Sequence, residues 1–76
     1  MSETIDLRGV ACPLNYVKAK LAIEPLESGA EIGLLLDSGE PVANVPRSLA
    51  DDGNEVVSLK QAEEGHFELR VRKGQP

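Results

Sequence analysis

Residues 30–37 carry Ile32, Leu34, Leu35 and Leu36 in a nearly unbroken apolar run. Alternation with polar residues would mark a strand with one wet face, so this run predicts an interior strand, central in a sheet. The chain has 76 residues, enough for one domain but not for a large core, since domains of this size bury only about 60% of their unfolded surface. Hydrophobic residues make up 41%, yet Tyr16 and Phe67 are the only aromatics. The core must therefore be assembled from Ile, Leu and Val.

The rest of the sequence supplies partners for that strand. Thr4-Ile5-Asp6-Leu7-Arg8 alternates with period two and is ended by Gly9, predicting a short strand. From Pro13 to Glu24, Leu14, Val17 and Leu21 recur at i, i+3 and i+7, which predicts a helix with those three side chains as its core-facing stripe. Glu24-Pro25 stops that helix, and Ser28-Gly29 supplies a turn. After the loop Asp37-Ser38-Gly39-Glu40-Pro41, a second helix is marked by Val42, Val45 and Leu49. Pro46 falls inside it, so the expectation is either a kink or a helix that starts properly only near Pro46. Asp52-Gly53-Asn54 ends it in either case. Segments 55–60 and 66–73, joined by the polar stretch 60–65, read as a hairpin. The order is βαβαββ: a two-layer α/β (α+β) sandwich with two helices on one face of a four-stranded mixed sheet, in a single domain over residues 1–76.

Charge narrows the function. A net charge of −5 argues against a general nucleic-acid binder, which would need a basic surface. Arg70, Arg72 and Lys73 alternate with apolar residues and read as the solvated face of a strand. No apolar stretch approaches the roughly 20 residues of a membrane span, and Met1-Ser2-Glu3-Thr4 has no signal-like pattern. The expected location is the cytoplasm.

Cys12 is the only cysteine, so the chain has no internal disulfide. It stands between Arg8-Gly9-Val10-Ala11 and Pro13, at the start of the first predicted helix. Helix starts offer unpaired N–H groups and the positive end of the macrodipole, and thiols there ionise at about 3.5–7.5 instead of about 8.5. Pro13 suits a first helical position. Pattern alone leaves open a second role, that of a small buried hydrophobe. As a reactive thiol, Cys12 lacks an evident base: the one histidine, His66, falls in the distant hairpin, where an exposed and inert role is expected. One Cys and one His cannot make a four-ligand zinc site, and no second thiol exists to resolve a disulfide. What remains is covalent carriage, with sulfur itself as a persulfide the favoured cargo. Acyl or phosphoryl cargo is less favoured, because no oxyanion hole or phosphate loop is visible.

The run Asp6-Leu7-Arg8-Gly9-Val10-Ala11-Cys12-Pro13 resembles the signature of the TusA/SirA-like sulfur-carrier (sulfurtransferase) family: an aspartate, a glycine, then Cys-Pro opening a helix. The resemblance extends over the first helix, the Ser28-Gly29 turn, the strand Ile32 to Leu36, the second helix with Pro46, and the hairpin. It implies a sandwich like the C-terminal domain of translation initiation factor three, and a persulfide on Cys12. It also implies protein partners: a cysteine desulfurase or rhodanese-type donor and a downstream acceptor, in tRNA thiolation, molybdenum-cofactor assembly or sulfur oxidation. Neither cofactor nor metal is expected, direct contact with nucleic acid or membrane is not, and the free protein is expected to be a monomer. On this reading Pro13 fixes the helix start, Asp6 and Gly9 shape the turn, and Arg8, close in sequence, helps stabilise the anion. The partner would touch an exposed rim of Arg8, Gly9, Val10 and Asn15. Where the family commonly has Cys-Pro-X-Pro, this chain has Asn15 in place of the second proline, restoring a backbone N–H that could donate to the persulfide. Two other classes stay open: a noncatalytic regulatory or adaptor module, and a thiol redox partner forming mixed disulfides.

Overall fold

The structure, a computed structural model, describes residues 3–11 and 13–74. The elements follow the expected order: β1 (Glu3–Asp6), α1 (Leu14–Ile23), β2 (Glu31–Leu36), α2 (Glu40–Asp51), β3 (Glu55–Gln61) and β4 (Phe67–Arg72). They form one sheet in the order β1-β2-β4-β3. The apolar run is an interior strand. β2 pairs in parallel with β1, with Ile5 beside Leu34, and antiparallel with β4, with Leu34 opposite Leu69 and Ile32 opposite Val71. The hairpin β3–β4 completes the mixed sheet, with one irregularity in register between Val56 and Ser58.

Ile32, Leu34 and Leu36 of β2 and Leu69 and Val71 of β4 are buried on one face of the sheet, in a single cluster with Ala19 and Ile23 of α1 and Val45 and Leu49 of α2. Both helices therefore cover the same face. The opposite face is a ladder of charges: Arg72 pairs with Glu31 at 2.8 Å and with Glu55 at 3.1 Å, and Arg70 lies 3.8 Å from Glu31. Arg70 and Arg72 thus belong to a solvated strand face, as their alternation implies. Such exposed pairs set cross-strand register more than they add stability.

Two local expectations are corrected. Helix α1 buries Asn15, Ala19 and Ile23, spaced by four residues along one face. Leu14, Val17 and Leu21, the expected core stripe, are 51%, 41% and 62% exposed. At 3.6 residues per turn the two stripes point in nearly opposite directions, roughly 180° apart, so periodicity alone offers two faces to bury. Ala19 decides between them, because a small side chain lets the helix backbone lie close over the sheet, while Tyr16 and Ala22 pack at its flanks. The second concerns α2, for which the structure rules out the late start near Pro46: the helix begins at Glu40 after Gly39, whose φ of 94° ends the preceding turn, and runs through Pro46. Pro41 lies in its first turn, where a missing N–H costs nothing, and only Pro46 forgoes an internal bond. Its end is a Schellman motif: Gly53 takes φ 97°, the Asn54 N–H donates to the Leu49 carbonyl at 3.1 Å, and the Gly53 N–H to that of Ala50 at 3.0 Å.

The two faces of α1 and the core of α2 are separable by unfolding. Leu49→Ala should cost about 2–5 kcal/mol in urea-unfolding free energy, as a fully buried leucine does. Leu21→Ala should stay within about 0.5 kcal/mol of the native chain. A loss at Leu21 comparable to that at Leu49 would mean that the outward stripe is packed after all.

Candidate functional site

β1 and β2 run parallel and each leads into a helix, so the chain leaves both strands at the same end of the sheet. That end, beyond the carboxyl termini of parallel strands, is where open α/β sheets place their sites. Leu7 anchors the first connection: its side chain is buried, and its N–H donates to the Leu35 carbonyl at 2.9 Å, continuing the β1–β2 ladder by one residue. The chain then turns. The Val10 N–H reaches back to the Leu7 carbonyl at 3.2 Å, and Gly9 sits between them at φ 79°, a conformation that a side chain would strain. From the second connection, Asp37 accepts the Gly9 N–H at 2.7 Å and so fastens the two connections together. Sequence reading had no means of finding Asp37, whose partner lies 28 residues away.

Asp6 and Arg8 close the turn on themselves. The Asp6 carboxylate accepts the Arg8 N–H at 3.0 Å, Nε at 2.9 Å and Nη2 at 2.7 Å. These bonds hold the Asp6 carboxyl far below the usual carboxylate range and raise the Arg8 guanidinium above its ordinary value. The guanidinium is thus already shared with a carboxylate.

Beyond the turn, Ala11 and Pro13 are both exposed, and α1 starts with neither a side-chain cap nor an acidic residue in its first turn. The positive end of the helix is left unneutralised by its own sequence. Cys12, between those two residues, lies outside the described residues. Asn15 departs from expectation: it is 0% exposed, whereas Arg8 and Gly9 are exposed and Val10 is half-buried. Its backbone N–H is taken by the Ala11 carbonyl at 3.1 Å, and its Oδ1 accepts the Tyr16 N–H at 2.7 Å. Its Nδ2 is buried with no hydrogen-bond partner among the described residues. Asn15 is therefore a core residue under the helix start and forms no part of a rim. The sequence placed it one position outside the stripe that was expected to be buried.

His66 is also corrected. β4 begins opposite the end of β2, with Phe67 beside Leu36, and this carries the hairpin tip to the same end of the sheet as the first turn. His66 is only 13% exposed, with Nδ1 3.7 Å from Glu64, and it lines a cleft of about 360 Å³ with Arg8, Asp37, Ser38, Glu64 and Gly65. Among the described residues no group of three His, Cys, Asp or Glu side chains could hold a metal ion, and no helix is long and apolar enough to cross a membrane.

Comparison with known proteins places this chain in one family. The sequence model named Sulfurtransferase TusA matches residues 3–73. The chain belongs to that family. A protein of Archaeoglobus fulgidus named as a candidate sulfur carrier is 32% identical over 72 residues, 95% of this chain and 82% of its own length. Another so named, MJ0990 of Methanocaldococcus jannaschii, is 30% identical over 71 residues, 93% of each chain. The crystal structure of a SirA-like protein from Desulfitobacterium hafniense superposes with a TM-score of 0.83 at 26% identity, covering 96% of this chain and 99% of that one. Family and relatives together indicate a sulfur carrier, a class of protein that works with protein partners in sulfur transfer.

Two expectations test this geometry. Because its folded pKa is depressed, Asp6 contributes stability that is present above the ordinary carboxylate value of about 3.9 and is lost as pH falls through the folded value. An NMR titration should find the Asp6 carboxyl ionised well below 3.9, and Arg8→Ala should bring its midpoint back up; an unchanged midpoint would show that the guanidinium is not the cause. Asn15→Leu replaces a buried donor that has no partner among the described residues by an apolar side chain of the same branching but larger volume, and should stabilise the fold by about 1 kcal/mol, the strain of the added bulk offsetting part of the gain. A lower urea midpoint would mean that the Oδ1 bond outweighs the orphaned amide.

Proposed function

We propose that this protein carries sulfur as a persulfide on Cys12, accepting it from a protein donor and passing it to a downstream acceptor. The observation that supports this most is the helix start itself. The turn is held by Leu7 in the core and by Asp37 from the neighbouring connection, and it ends at an uncapped α1 with exposed residues on both sides of position 12. Such a start favours a thiolate over a thiol, and a thiolate is the reactive form. It stabilises the persulfide anion for the same reason.

The chemistry needs no base at the site. The Cys12 thiolate attacks the outer sulfur of a donor persulfide, the donor's S–S bond breaks, and the donor leaves as a thiolate while a new S–S bond forms on Cys12. Sulfane sulfur moves with no net oxidation. Release repeats the exchange on an acceptor nucleophile. Pro13 fixes the backbone at the helix start, and Asp6 and Gly9 hold the turn. Arg8 serves the anion only by sharing the charge that it already gives Asp6. The donor on this reading is a cysteine desulfurase or rhodanese-type enzyme, and the setting is a reducing cytoplasm that keeps the thiol available.

Reduced protein incubated with a cysteine desulfurase, pyridoxal phosphate and cysteine should gain one sulfur atom by intact mass, reversibly on reduction, and Cys12→Ser should gain none. Equal uptake by the variant would overturn the assignment of Cys12. No uptake by either, with Cys12 also slow toward alkylating reagents, would favour a noncatalytic binding module.

A further inference from the structure

Among the described residues, the only buried side-chain nitrogen or oxygen without a hydrogen-bond partner is Nδ2 of Asn15. Asn15 is 0% exposed, and an amide left unpaired in a core is costly and rare. Its Oδ1 is satisfied, accepting the Tyr16 N–H at 2.7 Å. The N–H groups in the first turn of a helix point out of its N-terminal end, so the carboxamide that meets this one is turned toward the head of α1. The Asn15 N–H donates to the Ala11 carbonyl at 3.1 Å, closing a turn of chain that spans position 12. Side chains three residues apart on one turn are neighbours, with Cβ atoms about 5–6 Å apart. Three residues before Asn15 is Cys12.

We propose that Nδ2 of Asn15 donates a hydrogen bond to the sulfur of Cys12 when that sulfur is an anion. The charged groups at this end of the sheet are engaged elsewhere: Arg8 with Asp6, Asp37 with the Gly9 N–H, and His66 with Glu64 on the hairpin side of the cleft. On α1 itself the Tyr16 hydroxyl donates to Asp52, and Lys18 and Lys20 lie beyond the first turn. A neutral thiol accepts a hydrogen bond weakly, whereas a thiolate accepts a charge-assisted one, roughly twice as strong as a neutral pair. The amide therefore favours the ionised sulfur and lowers the pKa of the thiol. Both halves of the exchange gain: more of Cys12 is thiolate when sulfur arrives, and a thiol of lower pKa is the better leaving group when sulfur departs. The purpose of this bond rests on the reading of Cys12 as the sulfur-bearing residue, but the bond acts on the thiolate before any sulfur is loaded.

The test is the pH dependence of Cys12 alkylation by iodoacetamide in the native chain, Asn15→Leu and Asn15→Ala, with urea midpoints confirming that each variant keeps the fold. Removing a donor to the ionised form raises the thiol pKa, so the midpoint of the rate profile should move up by about 1 pH unit in both variants. Above that midpoint the order reverses. A thiolate of higher pKa is the stronger nucleophile, so the plateau rate of each variant should be about threefold above the native one. Asn15→Leu carries the sharper contrast, because its fold should be no less stable than the native one while its thiol ionises later.

An unchanged midpoint in both variants would overturn the proposal and leave Asn15 a buried core amide. A raised midpoint with a lowered plateau would overturn it too, since that pattern marks a thiol shut away by repacking and not one that has lost a donor. Incubation of the native chain with inorganic polysulfide, followed by intact mass, separates this inference from the sulfur-carrier reading. Uptake of sulfur with unshifted midpoints would keep the carrier and remove the hydrogen bond. Shifted midpoints with no uptake would keep the hydrogen bond to the thiolate and remove the persulfide.

Discussion

The packing of β2 against both of its neighbours governs the rest of the molecule. Ile32, Leu34 and Leu36 are fully buried, and each is aligned with a residue of β1 or β4 that must face the same way. A slip of one residue in either pairing would turn those leucines outward, so burial on one face fixes both registers at once. The parallel pairing with β1 has a further consequence. It forces a crossover through α1, and a crossover of that kind begins at the carboxyl end of the strand. The turn that leads toward α1 therefore lies where it does because β2 is parallel to β1. The Gly9 to Asp37 bond is available only because the two connections leave the sheet side by side.

The electrostatics of that end are divided by element. Asp6 and Arg8 neutralise each other within the turn, and Asp37 uses its carboxylate on a backbone N–H. The start of α1 has no such compensation. Beside a cleft of mixed charge lined by Arg8, Asp37, Glu64 and His66, the start of α1 has a dipole left unanswered by its own first turn, and α1 continues that positive character through Lys18 and Lys20. An anion formed at the head of α1 would thus sit at the positive pole of a molecule that is otherwise acidic.

Element order, the interior strand and the hairpin were legible in the sequence because each is local: alternation, an apolar run, and glycines or prolines at the boundaries. The buried face of α1 was not. Leu14, Val17 and Leu21 form a better apolar stripe than Asn15, Ala19 and Ile23 by residue type, and only contact with the sheet shows that the helix lies on its small residues. The same error put Asn15 on the surface. His66 was misplaced for a different reason: its distance from Cys12 along the chain is large, and only the pairing of β4 with β2 brings the hairpin tip to the turn. Strand order is a nonlocal property, and a single sequence does not display it.

The turn after β1 and α1 hold several features that do nothing for folding: an amide buried with no partner among the described residues, three exposed aliphatic side chains, and a helix start with neither a side-chain cap nor an acidic first turn. Elsewhere α2 buries Val45 and Leu49 of its expected stripe and ends in a Schellman motif, and the outer sheet face pairs its charges, while Pro46 within α2 and the exposed Val56, Val57 and Leu59 of β3 are smaller conflicts. Proteins sit only slightly above the stability that function requires, and conflicts with local rules persist where function maintains them.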